Sequence, residues 1–177
     1  MASVPSCASG GWICRIECRA GDAASCLGLA YAADANPESK QDAPGLYRSA
    51  CLLGAANACT NYAASIWAAG ASGGELACVR RTFEKACAVE EPFACGMVGR
   101  VMLESTTPPA YTEGRRYLEK ACDRIGGFSC RVLAKHLKSG NLGSYPPELI
   151  DTLLGRACDG GDPNACGEHA TASETFE

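Results

Sequence analysis

The sequence predicts an all-α fold, an α-solenoid of stacked antiparallel helix pairs running as one domain through residues 1–177. Three observations lead there. A Cys-x7-Cys unit occurs five times, at Cys18–Cys26, Cys51–Cys59, Cys87–Cys95, Cys122–Cys130 and Cys158–Cys166. Its first cysteines are 33, 36, 35 and 36 residues apart, the period of a two-helix repeat. On both sides of each unit, apolar and small residues return at intervals of three, four and seven, which puts them on one face of an α-helix.

The elements follow in order. Residues 1–19 read as an N-terminal cap with one helix, from about Gly11 to Arg19, in which Cys14 takes the inward slot. Gly21 turns the chain into a second helix faced by Leu29, Ala30 and Ala33. After the polar connection DANPESKQD, a third helix carries Tyr47 and Ala50 up to Cys51, and Gly54 turns into a fourth with Tyr62, Ala63 and Ile66. GASGG leads to a fifth helix with Phe83 and Ala86, and Pro92 opens a sixth with Val98, Gly99 and Met102. STTPPA leads to a seventh with Leu118 and Ala121, and Gly126 with Gly127 turns into an eighth with Leu133, Ala134 and Leu137. SGNLGSYPP precedes a ninth with Leu154 and Ala157. Gly160, Gly161 and Pro163 then lead to a short tenth with His169, Ala170 and Ser173, and residues 174–177 form a polar tail. Glycine after a helix supplies the left-handed C-cap residue, and proline suits a first helical turn. The slot of Ala30, Ala63, Gly99, Ala134 and Ala170 is always small. It marks a close approach of two helix backbones, which a larger side chain would overpack. No pair buries its apolar face alone, and stacking of neighbours does so, giving repeats over residues 20–173.

A hydrophobic fraction of 47% and a charged fraction of 20% are globular values. A net charge of -4 argues against a general phosphate-binding surface, so no nucleic-acid partner is expected. No apolar run approaches the roughly 18 residues of a membrane span. Thirteen cysteines point either to an oxidised framework or to a metal protein. The metal reading is weaker, because His136 and His169 are the only histidines and no Cys-x-x-Cys occurs. Neither metal nor cofactor is therefore expected. The start MASVPSCASGG lacks the basic and apolar regions of an export signal. An oxidising compartment then implies a mature form, and a lipid-anchored origin at Cys7 is a lesser alternative.

The Ala-Cys…Gly…Ala-Cys pattern at this period resembles the Sel1-like repeat, a relative of the tetratricopeptide repeat. It is similar in particular to the cysteine-rich subclass found in Helicobacter cysteine-rich proteins and in a mitochondrial intermembrane-space assembly factor. The resemblance covers about residues 13 to 170. It implies that all five Cys-x7-Cys pairs are disulfides joining the second helix of one repeat to the first helix of the next. Adjacent antiparallel helices on a short turn would bring such cysteines near the Cα separation of about 4.4–6.8 Å that a bridge needs. The resemblance also implies a periplasmic or secreted location, with the mitochondrial intermembrane space as the alternative. Of the other cysteines, Cys14 is either a core residue of the cap or a bridge to Cys7, and the bridge is favoured. Cys78 is then the odd thiol, read as a partly buried free cysteine rather than a dimer bridge or nucleophile.

Two functional readings come from this sequence. The first is a non-catalytic adaptor that binds a protein or peptide. In solenoids of this type the first helix of each pair lines the concave face. Positions one, five and eight after the second cysteine hold Leu27, Tyr31 and Asp34, then Thr60, Ala64 and Trp67, then Gly96, Arg100 and Leu103, then Arg131, Lys135 and Lys138. An aromatic end grading into a basic end suits an extended acidic peptide, with Tyr31, Trp67, Arg100, Arg131 and Lys135 as binding residues. The second reading is an enzyme of cell-wall or β-lactam chemistry, because Helicobacter relatives have been associated with penicillin binding and weak β-lactam hydrolysis. Against it, no Ser-x-x-Lys, Gly-x-Ser-x-Gly or His-Glu-x-x-His occurs. His169 is expected to pack in a terminal repeat, His136 to be solvated, and Glu90 and Glu91 to be surface charges in a turn.

Overall fold

A computed structural model of the protein describes residue 7, residues 11–104 and residues 110–173. Ten helices and no strand are present among the described residues. The chain divides into two compact units, Met1–Val89 and Glu90–Glu177.

The first unit contains α1 (Trp12–Arg19), α2 (Ala23–Ala35), α3 (Ala43–Leu52), α4 (Ala56–Ala68) and α5 (Gly73–Ala88), with a 3-10 turn at Lys40–Asp42 ahead of α3. Each helix packs on the next in sequence. The core between α2, α3 and α4 is built largely of alanine: Ala30, Ala33, Ala43, Ala50 and Ala58 surround Tyr47 and Cys26. Small side chains bury little area, but they let helices approach closely. Two apolar side chains of α5, Val79 and Phe83, are also fully buried. The helix starts are fixed locally, as where the Asp22 carboxylate accepts the Ser25 backbone N–H at 2.6 Å and caps α2. On α1, Cys14 is buried and is bridged to Cys7, with a Cα separation of 5.8 Å. This bridge lies against Gly28 of α2, where any Cβ would come within 2.5 Å of Cys7 Cβ.

The second unit contains α6 (Pro92–Glu104), α7 (Tyr111–Ile125), α8 (Gly127–Lys138), α9 (Pro147–Asp159) and α10 (Pro163–Ser173). Neighbours in sequence again pack together, and α8 also touches α6 and α10. Leu118, Leu133, Leu137, Leu153 and Leu154 form its core. The Arg115 guanidinium donates to the Tyr145 hydroxyl and lies 4.8 Å from the centre of that ring, which ties the long connection before α9 to α7. The Gly126–Gly127 turn touches the turn at Gly160, where a Cβ would overlap the Gly127 backbone. Glycine is needed there for the close contact of two turns.

The third repeat turn departs from the glycine pattern. Gly21, Gly54 and Gly161 hold φ of 96°, 96° and 85°, whereas the matching position is Glu90, with φ 66°. Glutamate tolerates this left-handed conformation poorly, so Glu90→Gly should raise stability by about 1 kcal/mol in urea unfolding.

Candidate functional site

In the second unit the first helices of three successive pairs, α6, α8 and α10, lie side by side. Polar contacts between them set what this face can offer. Arg131, a predicted binding residue on α8, donates from Nε to Asp162 Oδ2 at 2.7 Å and lies 3.8 Å from Glu168. Asp162 is buried and begins α10, and its other carboxylate oxygen accepts the Asn164 backbone N–H at 3.0 Å. The Arg131 guanidinium thus belongs to the joint between helices. Arg131→Met should leave a buried carboxylate unpaired and cost about 2–4 kcal/mol, read as a lower urea midpoint. Adding Asp162→Asn should recover part of that loss.

Arg100, on α6, pairs with Glu104 at 3.0 Å and lies 5.5 Å from the centre of the Phe128 ring. Phe128 also packs on Phe93, with centroids 5.3 Å apart. Lys135 and Lys138 on α8 are exposed. Of the face expected from the spacing, the position five residues after the second cysteine (Tyr31, Ala64, Arg100, Lys135) keeps access to solvent throughout. The position one residue after it does not. Thr60 is buried, and Gly96 is covered by Ser129, whose hydroxyl would overlap a Cβ there. Leu103, at the eighth position, is also in the core.

In the first unit, Tyr31 is 45% exposed. Its ring meets Tyr47 edge to face at 5.8 Å, and its hydroxyl accepts from Asn57 Nδ2 at 3.5 Å. Tyr47 is buried and donates to Asp34 at 3.4 Å. Burial first, then the Asp34 charge, holds the Tyr47 phenol neutral far above its usual range. Trp67 is half-buried on α4.

Three expectations are corrected. His136 is buried, not solvated: it faces α6, with Nε2 3.5 Å from Glu104 Oε1. Glu91 is a helix cap, accepting the backbone N–H of Phe93 at 3.2 Å and of Ala94 at 2.7 Å. Cys78 is exposed. Among the described groups, Cys7, Cys14 and Glu17 come close enough to share an ion, but the two sulfurs are bonded to each other. His169 Nδ1 lies 2.8 Å from Asp151 on the neighbouring α9.

Sulfur bridges hold the ends of both faces. Cys18–Cys26 and Cys51–Cys59 lie in the first unit, with Cα separations of 4.6 and 4.5 Å. Cys122–Cys130 and Cys158–Cys166 lie in the second, at 4.7 and 4.6 Å. Cys87 and Cys95 are disulfide-bonded as well.

Two carboxylates give the second unit an acid response. Burial raises the Asp162 pKa, but the Arg131 guanidinium and backbone N–H groups outweigh burial and hold it below the ordinary 3.8. The His136 imidazole, with Nε2 3.5 Å away, aided by Arg100 and Lys135, holds Glu104 below 4.5 against its own partial burial. Both groups are more acidic in the folded chain, so the unfolded chain takes up protons first as pH falls. Their contribution is complete above about pH 5 and is lost as pH drops through 4 and through the native values. Melting temperatures followed from pH 7 to 3 should fall at the acid end, with a shallower slope in Asp162→Asn.

No family model matches the sequence, and no curated protein matches it significantly. Solved structures do match. One is c5321, a protective antigen of uropathogenic Escherichia coli strains with an SLR fold, with a TM-score of 0.72 and 17% identity, covering 92% of this chain and 36% of that one. Another is a Sel1 repeat protein from Oxalobacter formigenes, with a TM-score of 0.65 and 17% identity, covering 86% of this chain and 64% of that one. The chain therefore has the fold of the Sel1 repeat proteins, and it spans less than two thirds of either neighbour.

Proposed function

We propose that the protein is a non-catalytic interaction module whose first-helix faces bind an acidic segment of a protein partner in an oxidising, extracytoplasmic compartment. The carrying observation is the α6–α8–α10 face. Arg131 is paired with Asp162 across the α8–α10 joint and Arg100 with Glu104 along α6, while Lys135 and Lys138 stand exposed on α8. A surface locked by its own ion pairs is pre-organised, so less ordering cost falls on binding. Tyr31 and Trp67 serve as aromatic anchors on the first unit's own face, and Arg131 acts through Asp162 to hold α10 in place. Twelve bonded cysteines support the oxidising compartment.

The test is affinity capture from the exported fraction of the native host, with wild type and the Arg100→Glu/Lys135→Glu variant as baits. A partner recovered by the first and lost by the second is expected. Partners indifferent to this charge reversal would overturn the reading.

A further inference from the structure

The first unit also holds a cleft whose lining includes none of the residues predicted to bind through the first helices. This cleft, of about 700 Å³, opens between α1, the end of α2 and the start of α3. Arg15 and Arg19, one helical turn apart on α1, line one wall. Leu29 and Leu46 supply apolar surface, and Asn36 and Asp42 are polar members of the lining. Neither arginine forms an ion pair among the described residues. Six other arginines of the chain do: Arg80, Arg100, Arg115, Arg124, Arg131 and Arg156. Glu17, the acid between Arg15 and Arg19 on α1, is engaged elsewhere, accepting the Ser25 hydroxyl at 2.8 Å.

We infer that this cleft docks a short acidic-aliphatic peptide segment of a protein partner. Two guanidiniums spaced by a turn present forked donors to carboxylate side chains two residues apart on an extended strand. The aliphatic residue between the acids points to the opposite face of the strand, where the apolar lining of the cleft, Leu46 included, can receive it. Asn36 and Asp42 offer the cleft a side-chain donor and an acceptor for the peptide backbone. Charge complementarity selects this occupant, because the lining sets two arginines against one carboxylate, Asp42. A neutral peptide would leave both arginines unmatched, and a bare anion would not use the apolar floor. The site is independent of the face around Arg100 and Lys135 and stands or falls separately from it.

The test uses a fluorescein-labelled Glu-Leu-Glu-Leu-Glu peptide carrying a benzophenone, the intact oxidised protein, and anisotropy at low salt. Crosslinks to α1–α3 are expected, with Kd weakened about tenfold by Arg15→Glu/Arg19→Glu and less by the helix-preserving Arg15→Gln/Arg19→Gln. Arg81→Glu/Arg116→Glu, which carries the same change of net charge on other exposed arginines, should leave Kd unchanged. Circular dichroism checks that each variant is folded. Binding untouched by both Arg15/Arg19 variants, crosslinks confined to α6 and α8, equal binding of the Gln-Leu-Gln-Leu-Gln peptide, or displacement by a few millimolar phosphate would each overturn the proposal.

Discussion

Replacing Gly99 with leucine is expected to abolish the cooperative folding of the second unit. At this position α6 and α7 meet backbone to backbone. A Cβ on Gly99 would lie 2.6 Å from the Gly114 carbonyl oxygen, 2.8 Å from Leu118 Cγ and 3.0 Å from the Leu118 nitrogen. The reciprocal Cβ on Gly114 would lie 3.0 Å from the Gly99 oxygen. Rotamer changes relieve a clash with the end of a flexible side chain, but two of the three atoms facing Gly99 are backbone. The helices must therefore separate, which opens the packing of Leu118. Gly99→Ala sets two effects against each other. Alanine favours the helix by about 1 kcal/mol, and the overlap costs about 1–3 kcal/mol, so the net change is a loss. Gly99→Leu adds three more carbons to the same gap and should cost about 4 kcal/mol or more, a large share of the roughly 5–15 kcal/mol of a typical domain. Urea midpoints read both variants. Gly45→Ala on α3, where nothing lies within 4 Å of the added carbon, should shift the midpoint the other way.

The second large effect is expected from reduction. Each repeat bridge closes a loop with a sequence separation of 8. Chain entropy assigns such a loop about 2–3 kcal/mol. Twelve bonded cysteines make six bridges, and six such terms reach about 12–18 kcal/mol if they add, which is as much as a domain's whole stability. The alanine-rich core has little apolar area with which to replace them. Dithiothreitol should therefore remove the cooperative thermal transition at neutral pH. The Cys122→Ser/Cys130→Ala variant should lose about 2–3 kcal/mol and still fold. Both cysteines of that bridge are buried, whereas Cys51 and Cys59 are half-buried, so Cys51–Cys59 should reduce first under mild conditions. A fully reduced chain that keeps a sharp melt would overturn this account.

Helix faces could be read from the sequence because the signal is local. Spacings of three, four and seven around each cysteine place Leu29, Val98 and Leu133 inward without knowledge of any neighbour. Contacts between first helices were not legible, because their partners lie a whole repeat away. Arg131 read as a free cation, yet its partner Asp162 is 31 residues further on. His136 reads as solvated because it follows Lys135 on a helix, and only the neighbouring α6 shows why it is buried against Glu104. Gly96 and Thr60 looked like groove residues for the same reason. The division at Val89 had no visible signal, since the spacing of the cysteines runs through it without a break. Four residues before the second cysteine stand Asp22, Glu91 and Asp162, and an acidic group there suits a helix N-terminus.

The odd thiol bears on how the chain acquires its bridges. Cys78 and Cys87 both lie on α5, nine residues apart in sequence, close to the spacing of the repeat pairs. In a coil, Cys78 would encounter Cys87 as readily as any native partner does. Once α5 winds up, a rise of about 1.5 Å per residue holds them about 13 Å apart, beyond the reach of a disulfide. Helices elongate within microseconds, whereas disulfides form over seconds or longer. The helix thus biases oxidation against an error that sequence distance alone would permit, in proportion to the time α5 spends wound.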